Sequence, residues 1–268
     1  MIRLIATDLD NTLLNKESKV PEETVRLLER AAEKGVKVAV ATGRSFASAK
    51  AIADQLGQPS PAICYNGAAV IDTATGEPYF MDCLAPDLVR DILAFARESD
   101  LYVQLYDKDE IVVEKLRLDR HPDPDLDYAG YREVGDFREI ELFGTPKILL
   151  AAPPERIPGI QSKLEALYGR RAYFAQSESH LVEVMNQGCD KGSALKRLRE
   201  ILGLSKEEVM GCGDNTNDLP LLLESGTAVA VANSVPELKA AATYVCRGER
   251  SEGFNEAVKK FVLGGEEK

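Results

Sequence analysis

Two aspartates, Asp8 and Asp10, close a hydrophobic run that begins at Ile2. Ile2 to Ala6 reads as a buried parallel strand, mostly apolar on both faces. Carboxylates at the tip of such a strand are costly to bury unless a cation lies beside them. The carboxyl ends of strands are also where open α/β sheets bind ligands. The pair therefore reads as a metal or phosphate site with one carboxylate left to attack, which points to an enzyme. Three further elements share this character: Thr42-Gly43-Arg44, Lys191, and Gly213-Asp214-Asn215-Thr216-Asn217-Asp218. With Asp8-x-Asp10-x-Thr12 they supply carboxylates for a hard cation, a hydroxyl, an ammonium, and glycines that let a ligand approach the backbone. That is the equipment of phosphoryl transfer, where catalysis is mainly positioning and charge neutralisation.

Each element alone has a plainer use. A calcium loop of the EF-hand type needs glycine at position six and glutamate at position twelve. Counting from Asp8 gives Leu13 and Lys19, and counting from Asp214 gives Leu219 and Ser225, so both fail. Asp214 serves equally well as a cap for the next helix, as do Thr216 and Asn217. Thr42-Gly43 makes an ordinary strand-to-helix turn. Lys191 is ordinary as a surface lysine, except that a helix N-terminus disfavours cations unless an anion lies between. All four elements fall at strand tips or helix starts of one alternating pattern, and that coincidence is what favours a phosphate site.

Several elements must position these residues. Pro21 fits the first turn of a helix with Glu22 and Glu23 at its positive end, Val25, Leu28 and Ala32 on one face, and Gly35 as its stop. Val36 to Ala41 is a second buried strand, followed by a helix from about Ser45 to Leu56. Ala62 to Tyr65 and Ala68 to Ile71 read as a hairpin around Asn66-Gly67. Near the other end, Asp190 can cap a helix from Lys191 to Leu202. Val209 to Cys212 and Thr227 to Ala232 are strands, and Ser234-Val235-Pro236-Glu237 reads as a capping box. Between about Cys83 and Gln187 hairpins replace the alternation: a helix from Pro86 to Ser99, strands at 101–106 and 111–115, a strand at 146–151, a helix at 154–168, and strands at 172–176 and 181–185. Asp119 to Asp136 reads as a loop. The pattern is one α/β domain with a parallel sheet, interrupted by an inserted α+β domain.

Composition narrows the function further. With 268 residues the chain exceeds a typical single domain, and 44% hydrophobic content can fill a sizeable core. The net charge of −11 suits neither a nucleic-acid backbone nor an anionic membrane. No apolar stretch approaches the roughly 20 residues needed to span a bilayer. The N-terminus lacks the order of a signal peptide, so a cytoplasmic location is expected. Five scattered cysteines without a C-x-x-C pair read as reduced thiols. Two histidines, His121 and His180, are too few to support a zinc site or a cysteine–histidine nucleophile. Glu183, Asn186 and His180, on or beside the last hairpin of the insertion, read as ordinary hairpin residues. Arg170-Arg171 reads as a solvated face.

The sequence resembles the haloacid dehalogenase superfamily of phosphatases, in its Cof-type branch with a large cap. The resemblance rests on Asp8-Leu9-Asp10-Asn11-Thr12-Leu13-Leu14, Ala41-Thr42-Gly43-Arg44, Asn66-Gly67-Ala68, Asp190-Lys191-Gly192 and Gly213-Asp214-Asn215-Thr216-Asn217-Asp218. Many relatives have glycine where Asn11 stands, and asparagine tolerates left-handed backbone. The resemblance implies a Rossmann-like parallel-sheet core over residues 1–82 and 188–268, interrupted by an inserted α+β cap over 83–187 that closes on the site. It implies Asp8 as nucleophile, Asp10 as acid and base, and Lys191 as charge neutraliser. Mg²⁺ would be held by Asp8, Asp214 and the Asp10 carbonyl. The amides of Leu9 and Gly43, the Thr42 hydroxyl, Lys191 and Asn217 would bind phosphate. Asp218 would orient Lys191 or a metal-bound water, and Arg44 and Asn66 would border the substrate pocket. The implied activity is Mg²⁺-dependent hydrolysis of small phosphorylated metabolites, sugar phosphates or phosphorylated cofactor precursors, with no nucleic-acid or membrane partner. A phosphomutase and a catalytically idle phosphometabolite-binding protein on the same core remain as alternatives, and monomer and homo-oligomer are equally open.

Overall fold

The computed structural model of the protein describes residues 1–107, 110–117, 130–176 and 178–265. It divides into two compact units. Met1–Thr42, Ala49–Phe80 and Asp190–Lys268 form the first, and Gly43–Ser48 with Met81–Cys189 form the second. In chain order the elements begin with β1 (Leu4–Thr7), α1 (Glu22–Glu33), β2 (Lys37–Ala41), α2 (Phe46–Ala53), β3 (Pro61–Cys64), β4 (Ala69–Asp72) and β5 (Pro78–Met81). Then come α3 (Pro86–Glu98), β6 (Tyr102–Asp107), β7 (Glu110–Val113), β8 (Gly130–Glu133), β9 (Ile148–Ala151), α4 (Ile157–Tyr168), β10 (Ala172–Ala175) and β11 (Leu181–Asn186). The chain finishes with α5 (Lys191–Ile201), β12 (Val209–Gly213), α6 (Leu219–Leu223), β13 (Thr227–Ala230), α7 (Pro236–Ala241), β14 (Tyr244–Val245) and α8 (Arg250–Phe261).

The first unit is built on a sheet of order β14-β13-β12-β1-β2-β3-β4-β5. Pairings from β14 to β3 are parallel, and β4 runs antiparallel to β3. Strand side chains alternate between faces. Leu4 and Ala6 pack with Ala39, Ala41, Ala194, Leu195 and Leu198 on one side. Ile5 and Thr7 point to the other and are equally buried. Both faces of β1 are covered, as a central strand of a parallel sheet requires. Register aligns the strand tips: Thr7 lies opposite Val40 of β2 and Cys212 of β12. Asp8, Thr42 and Asp214 therefore leave neighbouring strands at the same end of the sheet.

The second unit has a sheet of order β10-β11-β9-β6-β7-β8, antiparallel except for the β7–β8 pair. Leu88, Val89, Ile92 and Ala96 of α3 and Ile157, Ile160 and Leu164 of α4 pack on Leu105, Val112, Ile148, Leu150, Val182 and Val184. Both helices thus share one sheet face. Alternation puts Gln104, Leu149 and Glu183, which are register neighbours, on the other face.

Several local expectations change. Pro21 stands just outside α1, and the buried face is Thr24, Leu27, Leu28 and Ala31, one step round from the expected stripe. The Asn66-Gly67 hairpin uses a four-residue turn, Tyr65–Ala68, because Cys64 pairs with Ala69. Ser234 does not cap α7; Val235 holds that position with no side-chain cap. Within the expected 119–136 loop, Gly130–Glu133 is a strand parallel to β7, and residues 119–129 lie outside the described residues. His121 lies there too. All five cysteines are unbridged. Among the described residues, no helix is long and apolar enough to cross a membrane.

Candidate active site

The site of the first unit begins where β1 ends. The Asp8 amide donates to the Cys212 carbonyl at 2.9 Å, extending the β1–β12 ladder to the nucleophile candidate itself. The chain then turns through Leu9–Leu13 with Asn11 at φ 60°, a left-handed conformation that asparagine tolerates. Buried Leu9 accepts from the Leu14 amide at 2.9 Å and closes this turn. Asn233 Nδ2 donates to the Asn11 carbonyl at 2.9 Å and holds its outer edge.

Lys191 is the first residue of α5, whose N-cap Asp190 accepts from the Ser193 amide at 2.7 Å. The cap turns the helix start toward Asp8, and Gly67 lets the Tyr65–Ala68 turn pass beside it. Gly67 has φ +104°, and a Cβ there would lie 2.1 Å from the Asp190 carbonyl oxygen. Lys191 Nζ donates to Asp8 Oδ1 at 2.7 Å and to Asp218 Oδ1 at 2.6 Å. A lysine 1% exposed is tolerable only with such partners. Burial pulls its pKa down, but the charges of Asp218 and Asp8 overcome this and hold it above the usual lysine range.

Asp218 is fixed by its remaining oxygen, which accepts from the amides of Asp214 at 2.9 Å and Asn215 at 3.1 Å. This folding-back needs Gly213: a Cβ there would sit 2.4 Å from Asp218 Cβ and 2.6 Å from Oδ2. Gly213→Ala is therefore expected to lose about 1–3 kcal/mol of stability, the usual cost of overpacking a close site. A urea titration checks this, and an unchanged midpoint would mean that Asp218 yields without loss.

Asp214 follows the β12 tip, and its Oδ1 accepts from the Thr12 hydroxyl at 3.0 Å. Burial pushes its carboxyl up to about 6, with the charge of Asp218 adding to the effect. Asp8 is raised well above the usual carboxylate range by burial. Lys191 opposes that shift, while Asp218, Asp214 and Asp10 reinforce it. Carboxylate oxygens of Asp8, Asp214 and Asp218 lie within 4.8 Å of one another. Asp10 is half-buried beside them, close enough for its charge to act on both Asp8 and Asp214.

The other candidates are distributed as follows. Thr42 is buried, its amide donating to Ile63 and its carbonyl accepting from Asn66. Asn66, at φ 52°, accepts from Asn217 Nδ2 at 3.1 Å, so the two asparagines support each other. Gly43 and Arg44 belong to the second unit, where Arg44 donates to Ser48 Oγ at 3.0 Å. Ser234, which looked like a cap, instead donates to the Gly213 carbonyl at 3.1 Å, and the next amide, Val235, donates to the Asp214 carbonyl at 2.9 Å. This bracing of the β12 tip carries no sequence signature, since the Ser234-to-Glu237 spacing looks the same in either role.

The family model for haloacid dehalogenase-like hydrolases matches residues 5–258. The chain is 31% identical over 243 residues to HMP-PP phosphatase of Serratia proteamaculans (strain 568), covering 89% of this chain and 87% of that protein. Its fold matches that of a haloacid dehalogenase-like hydrolase from Bacteroides thetaiotaomicron with a TM-score of 0.86 at 29% identity, over 97% of this chain and 99% of that one. A haloacid dehalogenase-like hydrolase from B. subtilis matches with a TM-score of 0.86 at 26% identity, over 97% and 100%. A match running from β1 to α8 takes in Asp8, Lys191, Asp214 and Asp218 on one continuous scaffold. The chain belongs to the haloacid dehalogenase-like hydrolases and is a phosphatase of that family.

Proposed function

We propose that the protein hydrolyses small phosphomonoesters, sugar phosphates or phosphorylated cofactor precursors, with Mg²⁺ and through an aspartyl-phosphate on Asp8. The observation that carries this reading is the buried chain Asp8–Lys191–Asp218 beside Asp214. Asp8 Oδ attacks phosphorus in line, and the bond from phosphorus to the ester oxygen breaks. Asp10 gives its proton to the departing alcohol, then takes one from the water whose oxygen attacks the acyl phosphate. Inorganic phosphate leaves and Asp8 is restored. Lys191, locked by Asp218, offsets the negative charge that gathers on Asp8 and the phosphoryl oxygens. The Thr42 hydroxyl, the amides of Leu9 and Gly43, and Asn217 hold those oxygens in place.

The donor set fits a hard divalent cation. Two buried carboxylates raised by desolvation are those that gain most from a cation at neutral pH. Asp218 is close, but both its oxygens are engaged by Lys191 and two amides. Asp8, Asp214 and the Asp10 carbonyl would therefore hold Mg²⁺, and Asp218 would fix Lys191 instead. Bound there, Mg²⁺ supplies the positive charge that lets an anionic phosphate approach Asp8.

The raised carboxyls give a stability signature. A carboxyl whose folded pKa lies above its ordinary value binds its proton more tightly when folded, so stability falls as pH rises through both values. For Asp214, raised from 3.8 to about 6, the loss by pH 7.5 amounts to about 3 kcal/mol at most, and Asp8 acts in the same direction. Asp72 and Asp136, held below the usual range by hydrogen bonds from the Ala74 amide and the Arg138 side chain, have made their full contribution by about pH 5. Lys191 stays charged throughout. The metal-free protein is thus expected to melt lower at pH 7.5 than at pH 5.0, with Mg²⁺ raising Tm at pH 7.5 and doing little at pH 5.0. A Tm at pH 7.5 indifferent to Mg²⁺ would count against Asp8 and Asp214 as its holders.

The activity is tested by phosphate release from a panel of phosphorylated sugars, nucleotides and cofactor precursors, with and without Mg²⁺. HMP-PP, in the name of the Serratia relative, belongs in that panel. Mg²⁺-dependent release is expected, and no release from any compound would contradict the reading.

A further inference from the structure

Within the second unit, a buried ion pair stands apart from the residues assigned so far. Lys147 Nζ donates to Glu183 Oε1 at 2.7 Å, and both side chains are 3% exposed. The same nitrogen donates to the Gly43 carbonyl oxygen at 2.7 Å and lies 4.7 Å from the centre of the Tyr106 ring. The backbone beneath it is fixed as well: the Thr145 hydroxyl lies 2.8 Å from the carbonyls of Tyr106 and Lys147 and accepts from the Tyr106 amide at 3.0 Å.

An ion pair in such a place is weak evidence for stability, because apolar residues of similar volume often serve as well or better. The geometry points instead to what Lys147 grips. Glycine has no side chain by which to anchor itself, and its backbone is the most permissive of any residue. Gly43 also shares a peptide bond with Thr42, and its amide is one of those assigned above to the phosphoryl oxygens. We propose that Lys147, oriented by Glu183, is a positioning residue that fixes the Gly43 backbone and with it the amide that binds the phosphoryl group. The phosphoryl half of this proposal rests on the function proposed above. Lys147 has almost no surface of its own to offer a substrate, so it acts through Gly43 and not by touching the phosphate.

Lys147→Met alone would leave the buried Glu183 carboxylate without the lysine ammonium and could unfold the protein. The informative variant is therefore the double change Lys147→Met with Glu183→Met, which removes both charges of the pair together. Two readouts separate positioning from packing. In ¹⁵N-glycine-labelled protein, the Gly43 amide signal, assigned by its loss in Gly43→Ala, is expected to shift or broaden in the double variant. KM for a phosphomonoester and the inhibition constant of inorganic phosphate are expected to rise about tenfold, with kcat changing less and the fold retained by thermal melt. Glu183→Gln, which keeps an acceptor for Lys147, is expected to restore most of both. A Gly43 signal unmoved in the double variant, with KM within twofold of the parent, would overturn the proposal. A moved signal in a protein whose parent releases no phosphate from any substrate would sustain the grip on Gly43 and overturn its phosphoryl role.

Discussion

Asp8→Asn is expected to release phosphate at least about a thousandfold more slowly than the parent, the scale seen when a covalent nucleophile is removed. The substitution is nearly isosteric, so the loss would belong to chemistry and not to the fold. Asparagine can still accept from Lys191 Nζ through its carbonyl oxygen, and Lys191 keeps Asp218 at 2.6 Å. Asp8 is a charged group that burial penalises, and a neutral amide removes that penalty. The variant is therefore expected to melt no lower than the parent at pH 7.5 without metal. Phosphate release near the parental rate from a folded Asp8→Asn protein would end the proposal of Asp8 as nucleophile.

Lys191→Met carries the second large effect, on stability and activity together. Lys191 is the cation that touches both Asp8 and Asp218. Methionine fills much the same volume but leaves those carboxylates facing each other, with Asp214 beside them. Breaking a buried pair in this way costs about 3–5 kcal/mol. Because the penalty falls on ionised carboxyls, it shrinks as pH drops and they take up protons. Urea denaturation is expected to find the variant far weaker than the parent at pH 7.5 and closer to it at pH 5.0. On the folded fraction, phosphate release should fall at least about a hundredfold through lost charge stabilisation. Equal stability of variant and parent at both pH values would show that the carboxylates do not depend on Lys191.

What could be read from the sequence was local or fixed by strand register. The tip of an apolar strand, a capped helix start and a glycine-aspartate turn each announce their own geometry, and parallel pairing of β2, β1 and β12 brings the tips together. Asn11 likewise adopts the left-handed conformation that its residue type tolerates. Less legible were choices that depend on distant partners. Lys147 stands at the head of the apolar run of β9, a charge where a strand face should be apolar, but nothing in the sequence names Glu183, 36 residues on, as its partner. Glu183 accordingly read as an ordinary hairpin residue. Ser234 looked like a cap because Ser234-Val235-Pro236-Glu237 has the spacing of a capping box, and only the fold brings the Gly213 carbonyl within its reach. The buried face of α1 was set one step off because Thr24, polar by type, is buried by donating to Asn255 Oδ1 at 2.9 Å. The parallel strand at Gly130–Glu133 carries charge and glycine, and its pairing with β7, not its own composition, makes it a strand.

The stereochemical course at phosphorus tests the proposed covalent route most directly. Hydrolysis of a phosphomonoester made chiral at phosphorus by isotopic and sulfur labelling, in isotopically labelled water, reports whether one or two in-line displacements occur. Attack by Asp8 followed by attack of water inverts the centre twice, and the account predicts net retention. Net inversion would mean that water attacks the ester directly, and would contradict an aspartyl-phosphate on Asp8.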